Sequence, residues 1–266
     1  MTSPFLFLKE EIEKEAQPMF CYKCGKSVKP IVRLLPTLIG TVEVEYLCPV
    51  HKIVLAKEIR EMKLPKREVK ITKGLYISAD GIDGAGKTTF AKELVKLLKM
   101  NGFEALYVKE PHIPAIKEFL YKYDIDADAE VYIFATDRMI LQKTIVIPAL
   151  ESGKLVVSDR SIYTSIVYQS IRGVDEEFII GVNRGVKYPD IVFILDIDAE
   201  LAYNRLKKTR ASLTKYESLD FLKEARKLFL EIPKKYSKLS KFYILDADKD
   251  VKTLAKEALT KIKENI

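Results

Sequence analysis

At 266 residues, 48% hydrophobic and 31% charged, the sequence has the bulk for one sizeable core plus a small second domain, which excludes a disordered or fibrous chain. No apolar run approaches the roughly 18 residues of a membrane span, and Met1–Leu8 leads into Glu10, Glu11, Glu13 and Glu15 instead of a cationic leader, so a cytoplasmic protein with no membrane partner is expected. The net charge of +7 suits anionic partners such as nucleotides or nucleic acid, or reflects only a lysine-rich solvated surface.

All three cysteines lie in the first fifty residues, as Cys21-x-x-Cys24-Gly25 and Cys48-x-x-His51. Between the pairs, Val28, Ile31, Val32 and Leu34, then Val42, Val44 and Tyr46, predict a hairpin that turns around Pro36–Gly40. Two knuckles joined by a hairpin gather three thiolates and one imidazole, the donor set that tetrahedral zinc prefers. Closed sites of this kind leave no open coordination position, so the zinc expected at Cys21, Cys24, Cys48 and His51 is structural. Reduced cysteines beside a coincidental histidine are the alternative. A module this small lacks a sufficient core, so metal binding would supply much of its folding energy.

Residues 62–74 lose hydrophobic density and gain charge. The expected division is therefore a zinc-ribbon-like module over 1–65, a linker over 66–74 and a larger domain over 75–266. From Leu75 onward, short apolar strands alternate with amphipathic stretches. Strands are expected at Leu75–Ala79, Ala105–Val108, Leu155–Ser158, Ile191–Leu195 and Phe242–Leu245. Helices are expected at Lys87–Met100, Glu130–Leu150, Asp198–Lys207 and Leu219–Leu230. The predicted fold class is α/β: a P-loop-type parallel sheet with helices on both faces, preceded by a small β-rich zinc-ribbon-like domain.

The first of these strands leads at once into Gly81-Ile-Asp-Gly-Ala-Gly-Lys-Thr88, which opens the first helix. That strand, loop and helix order is the context in which a P-loop binds phosphate. Gly81, Gly84 and Gly86 let the backbone curl, so that N–H groups over Asp83, Gly84, Ala85, Gly86, Lys87, Thr88 and Thr89 face the phosphates of ATP. Lys87 is placed to reach the β and γ oxygens, and the Thr88 hydroxyl to meet Mg2+. GTPases, ATPases and kinases share this loop, so it does not by itself decide the reaction.

Further motifs follow in order. Ala79-Asp80-Gly81 opens the loop, and Lys109-Glu110-Pro111 follows the second strand. Phe134-Ala-Thr-Asp-Arg138 comes next, then Ser158-Asp159-Arg160 with Thr164-Ser165 and Tyr168-Gln169. Pro189-Asp190, Asp196, Glu217-Ser218-Leu219-Asp220-Phe221 and Arg226 complete the set. Over residues 74–264 this succession resembles the thymidylate kinase family, which phosphorylates dTMP to dTDP.

The resemblance implies roles for these positions. Phe134 stacks on the acceptor base, and Arg138 hydrogen-bonds the base or the acceptor phosphate. Arg160 holds the acceptor phosphate, whose oxygens suit its fork of donors. Asp159 joins Thr88 as a partner of Mg2+ or its waters, and Asp80 contacts the sugar or the metal shell. Glu110 lies on the acceptor side, Thr164 and Ser165 approach the base edge, and Tyr168 faces the deoxyribose. The loop holds Asp83-Gly84 and no arginine, so the transfer cation is expected from a basic lid over Lys207–Lys215. Arg210 is the expected residue, with Lys207, Lys208 or Lys215 as substitutes. A homodimer is a further implication.

Three segments depart from the family pattern: His112-Ile113-Pro114 after the second motif, Ser161 after Arg160, and Leu213-Thr214-Lys215 in the lid. The N-terminal module is a fourth departure. It is either a structural or dimer-supporting appendage, or a device that presents an RNA or DNA end to the kinase pocket. The function expected is ATP- and Mg-dependent phosphorylation of dTMP. The alternatives are a related kinase acting on another nucleotide or on nucleic acid, and a non-catalytic ATP-binding regulator. The Asp159-Arg160 pair and a basic lid argue against the regulator.

Overall fold

The computed structural model describes residues 9, 12–36, 41–61, 74–209 and 214–266. The chain divides into two compact units, Met1–Glu68 and Val69–Ile266. The linker expected over 66–74 lies outside the described residues except for Gly74.

In the first unit, β1 (Met19–Cys21) pairs antiparallel with β2 (Lys26–Val28). Strands β3 (Ile31–Pro36), β4 (Thr41–Leu47) and β5 (Val54–Glu61) form an antiparallel sheet with β4 in the centre. The predicted hairpin is β3–β4, with Leu34 opposite Val44, while its turn over residues 37–40 lies outside the described residues. Alternation along β4 buries Val42, Val44 and Tyr46 against Val32 and Ile12. That is a very small core. The third strand, β5, was not evident from the sequence, because Val54–Glu61 mixes apolar and charged residues on a half-exposed edge.

The second unit is an α/β domain. Strands β6 (Leu75–Asp80), β7 (Ala105–Lys109), β8 (Leu155–Asp159), β9 (Ile191–Asp196) and β10 (Lys241–Asp246) form one parallel sheet in the order β10-β9-β6-β8-β7. The near-continuous apolar runs of β6, β8 and β9 suit strands covered on both faces. From β6 the chain goes to the edge strand β7, returns to β8 beside β6, and then crosses to β9 and β10 on the other side, so a crevice is expected at the carboxyl ends beside β6. Lys109 is in register with Asp159, and Asp159 with Ala79, at that edge.

Helix α1 (Lys87–Met100) buries Phe90, Ala91, Leu94, Val95 and Leu98 as one stripe. Helices α2 (Pro114–Lys122) and α3 (Ala127–Leu141) follow β7. The helix predicted over Glu130–Leu150 is three pieces: α3, a π-helical turn over Gln142–Val146 and the short α4 (Ile147–Glu151). Pro148 explains the break, since it has no N–H for the Thr144 carbonyl and its ring crowds that carbonyl.

Helix α5 (Ile162–Ile171) was not predicted. Ile162 through Gln169 are all buried, so the segment has no polar stripe and no helical period to read. Helices α6 (Glu176–Val182), α7 (Ala199–Thr209), α8 (Leu219–Tyr236) and α9 (Val251–Lys263) complete the layers. Among the described residues, no helix is long and apolar enough to cross a membrane.

Candidate active site

The P-loop joins β6 to α1 under tight steric limits. A Cβ on Gly81 (φ +136°) would sit 2.6 Å from the Leu195 carbonyl oxygen on β9, and one on Gly84 (φ +85°) 2.6 Å from that of Ala202 on α7. Only glycine meets both the backbone angle and the space. Lys87 is buried at the head of α1, where Nζ donates to the Ile82 carbonyl at 2.7 Å and lies 3.7 Å from Asp83. Burial first, and then the Arg160 cation, push its ammonium down to about 8. The charge of an incoming polyanion would offset both effects and favour the ammonium form.

A cleft of about 640 Å³ opens over this loop. At its floor, Thr88 Oγ1 donates to Asp159 Oδ2, which also accepts from Tyr107 at 3.3 Å and lies 3.2 Å from Lys109 Nζ. Burial alone would raise the Asp159 carboxyl. The cations of Arg160, Lys87 and Lys109, together with the Thr88 hydrogen bond, outweigh it and hold the group below the usual range. An ionised carboxylate touching a hydroxyl offers the hard oxygens that Mg2+ takes, so these residues fit that ion.

Arg160 follows β8 with φ +82°, a left-handed conformation that non-glycine residues rarely adopt. Its guanidinium pairs with Asp83 and lies 5.4 Å over the ring of Tyr168. The Nη1 atom is buried with no hydrogen-bond partner among the described residues. The Tyr168 hydroxyl donates to Asp83 at 3.3 Å, and its ring meets Phe221 edge-on at 5.1 Å. Phe134 is half-buried on the cleft wall, with Glu110 and Thr164 nearby in the lining.

Behind this wall lies a buried polar layer. Arg138 donates to Glu110, to Asn183, to the Ser161 carbonyl at 3.3 Å and to Ser165 Oγ at 2.9 Å. Asp80 is fully enclosed. Its Oδ1 accepts from the Ser161 N–H at 3.1 Å and Thr164 Oγ1 at 2.7 Å, and its Oδ2 from Ser78 and Ser161 hydroxyls at 2.7 Å each. In place of the expected contact with sugar or metal shell, its carboxylate is taken up by protein donors that tie the P-loop strand to the start of α5. Ser161, noted only as a departure, is the hinge of that tie.

Of the residues expected to act together, Asp83, Gly84, Gly86, Lys87, Thr88, Glu110, Phe134, Asp159, Arg160, Thr164 and Tyr168 line one cleft. Gly81 and Ala85 are buried beneath the loop, and Thr89 is exposed. Arg138 and Ser165 are buried behind the lining. Arg210 lies outside the described residues, as do Ala211, Ser212 and Leu213. Lys207 and Lys208, expected in the lid, belong instead to the last turn of α7, which runs to Thr209.

Several residues of the site had no role assigned in advance. Lys109 Nζ reaches both Asp159 and Thr88, the latter at 3.3 Å. Its position at the carboxyl end of a predicted strand was the signal that could have marked it. Buried Glu130 on α3 gathers Arg172, Tyr216 and, at 2.7 Å, Lys215 Nζ, joining the segment before α8 to α3 and to the end of α5.

In the N-terminal unit, the Cys24 and Cys48 sulfurs are 3.6 Å apart, and His51 Nδ1 lies 3.8, 3.2 and 3.7 Å from the sulfurs of Cys21, Cys24 and Cys48. Zinc bonds of about 2.3 Å to sulfur and about 2.0–2.1 Å to nitrogen give tetrahedral edges of roughly 3.8 and 3.6 Å. The donors therefore fit zinc. The His51 backbone N–H, ahead of other hydrogen bonds, draws the Cys48 thiol down to about 6, while burial and the neighbouring thiols push Cys24 up to about 11.

Comparison with known proteins gives the family. The chain matches Thymidylate kinase over residues 79–258. The thymidylate kinase of Brachyspira hyodysenteriae is 32% identical over 198 residues, 73% of this chain and 95% of that protein. The probable thymidylate kinase of Archaeoglobus fulgidus is 38% identical over 160 residues, 59% of this chain and 81% of that protein. That of Thermococcus kodakarensis is 30% identical over 201 residues, 71% and 97% respectively. With a P-loop and an Asp159-Arg160 turn on one cleft, the chain belongs to the thymidylate kinase family and is a nucleotide kinase.

Proposed function

We propose that the protein transfers the γ-phosphoryl group of ATP onto dTMP in a Mg2+-dependent reaction. The observation that carries this reading is a single cleft in which Lys87, Thr88 and the Arg160 guanidinium converge, with Arg160 Nη1 buried and without a hydrogen-bond partner among the described residues. The relatives' names supply the acceptor. The reading also takes residues 1–65 as a zinc-stabilised module and 75–266 as the kinase.

In the proposed reaction, P-loop N–H groups and Lys87 take the phosphates of ATP. Thr88 and Asp159 would hold Mg2+, which when bound neutralises charge on those phosphates. Arg160 exchanges Asp83 for the acceptor phosphate, Phe134 stacks on the base, and Tyr168 bounds the sugar. Arg138, Ser165 and Asp80 act behind the wall, fixing Glu110, Thr164 and the Arg160 turn. An oxygen of the acceptor phosphate attacks the γ phosphorus, and the bond to the β–γ bridging oxygen breaks as ADP leaves. Alignment and surrounding cations do most of the work. Arg210 is the proposed lid cation, with Lys207, Lys208 or Lys215 as substitutes, and lid closure keeps water from the phosphoryl group.

Initial rates across nucleoside monophosphates at fixed ATP and Mg2+ test the acceptor. The reading expects kcat/KM for dTMP to exceed that for dUMP, UMP, dCMP, AMP and GMP by at least about tenfold, or about 1.4 kcal/mol of transition-state binding. A better acceptor among these, or label entering oligonucleotides while dTMP is ignored, overturns it.

A further inference from the structure

The end of the N-terminal unit that carries the four metal ligands has a chemistry distinct from the rest of that unit. Residues 18–29 and 48–53 contain Lys23, Lys26, Lys29 and Lys52 and no acidic side chain. All four lysines are exposed, and none makes an ion pair among the described residues. Glu43, Glu45 and Glu58 of the three-stranded sheet are matched locally instead. Glu43 and Glu45 share Lys57 at 2.6 and 2.7 Å, Glu45 also pairs with Arg33, and Glu58 pairs with Arg60 at 2.6 Å. They therefore do not offset the lysines at the knuckles.

Exposed aromatics stand among these lysines. Phe20 is 65% exposed and Tyr22 71%, on either side of the fully buried Cys21. Cys21 is the last residue of β1 and turns inward to the ligand cluster, while Phe20 precedes it on the strand and Tyr22 follows it in the turn, both with their rings in solvent. Tyr46 on β4, by contrast, is buried, with its hydroxyl donating to Glu58. The surface thus holds two exposed rings, one residue apart in sequence, near four lysines that make no ion pair among the described residues.

We propose that this knuckle surface binds single-stranded nucleic acid, with Phe20 and Tyr22 stacking on bases and Lys23, Lys26, Lys29 and Lys52 holding the phosphodiester backbone. A single strand matches both features at once, since it offers open base faces beside regularly spaced phosphates. A duplex hides its base faces. An acidic polypeptide satisfies the lysines and leaves the rings in water. Recognition of this kind tolerates sequence, because every base has a π-face.

The test is fluorescence anisotropy of the full-length, zinc-loaded protein with labelled dT20 and rU20 at several salt concentrations. Unlabelled duplex DNA and poly-glutamate serve as competitors. Binding is expected with a log–log salt slope of roughly −3, from four phosphate contacts at about 0.7 each. Phe20→Ala/Tyr22→Ala is expected to weaken binding at least about tenfold, with zinc content and nucleotide kinase turnover unchanged. Phe20→Leu/Tyr22→Leu, which keeps apolar bulk and removes the rings, serves if the alanine pair loses zinc, with the same loss expected. Preference for either oligonucleotide supports the proposal and tells DNA from RNA. Absence of binding, binding indifferent to both double variants, or competition by poly-glutamate equal to that by an oligonucleotide overturns it.

Discussion

Arg138 places Nε 2.9 Å and Nη2 2.7 Å from one and the same oxygen of Glu110, joining α3 to the loop after β7 with both charges out of water. Asn183, Ser161 and Ser165 take further donors of the guanidinium. A buried pair so enclosed contributes modestly while intact and costs heavily when halved, because the remaining charge has no solvent. Glu110→Ala is therefore expected to lose about 3–5 kcal/mol of stability. Urea unfolding of variant and parent checks this, and a loss within about 0.5 kcal/mol, the range of an ordinary surface change, contradicts the pairing.

Lys87 makes the nucleotide-free protein less stable at neutral pH. Its folded-state value of about 8 is below the ordinary 10.5, so between those limits the unfolded chain binds the extra proton. Stability from this group is present above 10.5 and is lost as pH falls through 8. Lys87→Met should abolish transfer, yet be more stable than the parent at pH 7 by up to about 3 kcal/mol. That advantage should shrink as pH rises from 8 to 10.5. Chemical denaturation at pH 7, 9 and 10 measures it, and a gap that does not change with pH contradicts the assignment.

The fork of Arg160 matters beyond its charge. Nη1 is buried and unpartnered among the described residues while the other arm holds Asp83, so a lysine cannot engage both directions. Arg160→Lys is expected to lower kcat/KM for the acceptor about 10²–10³-fold, the usual cost of one preorganised donor to a reacting anion. ATP affinity should stay nearly constant. Steady-state kinetics in both substrates separates the two, and an equal loss for ATP would move Arg160 to the donor side.

Metal removal should act on the first unit. The core of Val32, Val42, Val44, Tyr46 and Ile12 is too small to hold three strands and two knuckles, so zinc bound at the proposed site would supply much of the stability. Chelation, or Cys24→Ser, should release zinc and abolish amide protection in residues 19–61, as read by hydrogen exchange. Excess Mg2+ must be restored before turnover is assayed, since a chelator removes that ion too. Binding must deprotonate Cys24, which stands near 11, so zinc affinity should fall as pH falls. Protection that survives zinc loss contradicts a structural metal.

What the sequence made legible was local. The P-loop is contiguous, and its glycines, Lys87 and Thr88 carry their geometry in their spacing. The metal ligands sit in two short knuckles, so their separation was equally readable. Long-range partners were not. Asp80 was expected at the substrate, but Ser161 and Thr164, more than eighty positions away, enclose it. Arg138 was legible as a motif member, whereas its burial depends on Glu110, Asn183 and Ser165 from three other segments. Helix α5 escaped because a fully buried helix has no polar face, and the π turn because Pro148 acts on a carbonyl four residues earlier. The Glu130–Lys215 link depends on chain segments brought together only by the sheet.

The most direct test of the central claim is a product balance with γ-labelled ATP, Mg2+ and dTMP, run with parent and Lys87→Met. The account predicts one labelled dTDP for each ADP released by the parent, and neither product from the variant. ADP release without dTDP, or ATP binding with no turnover, would contradict it and leave a nucleotide-binding protein that is not a dTMP kinase.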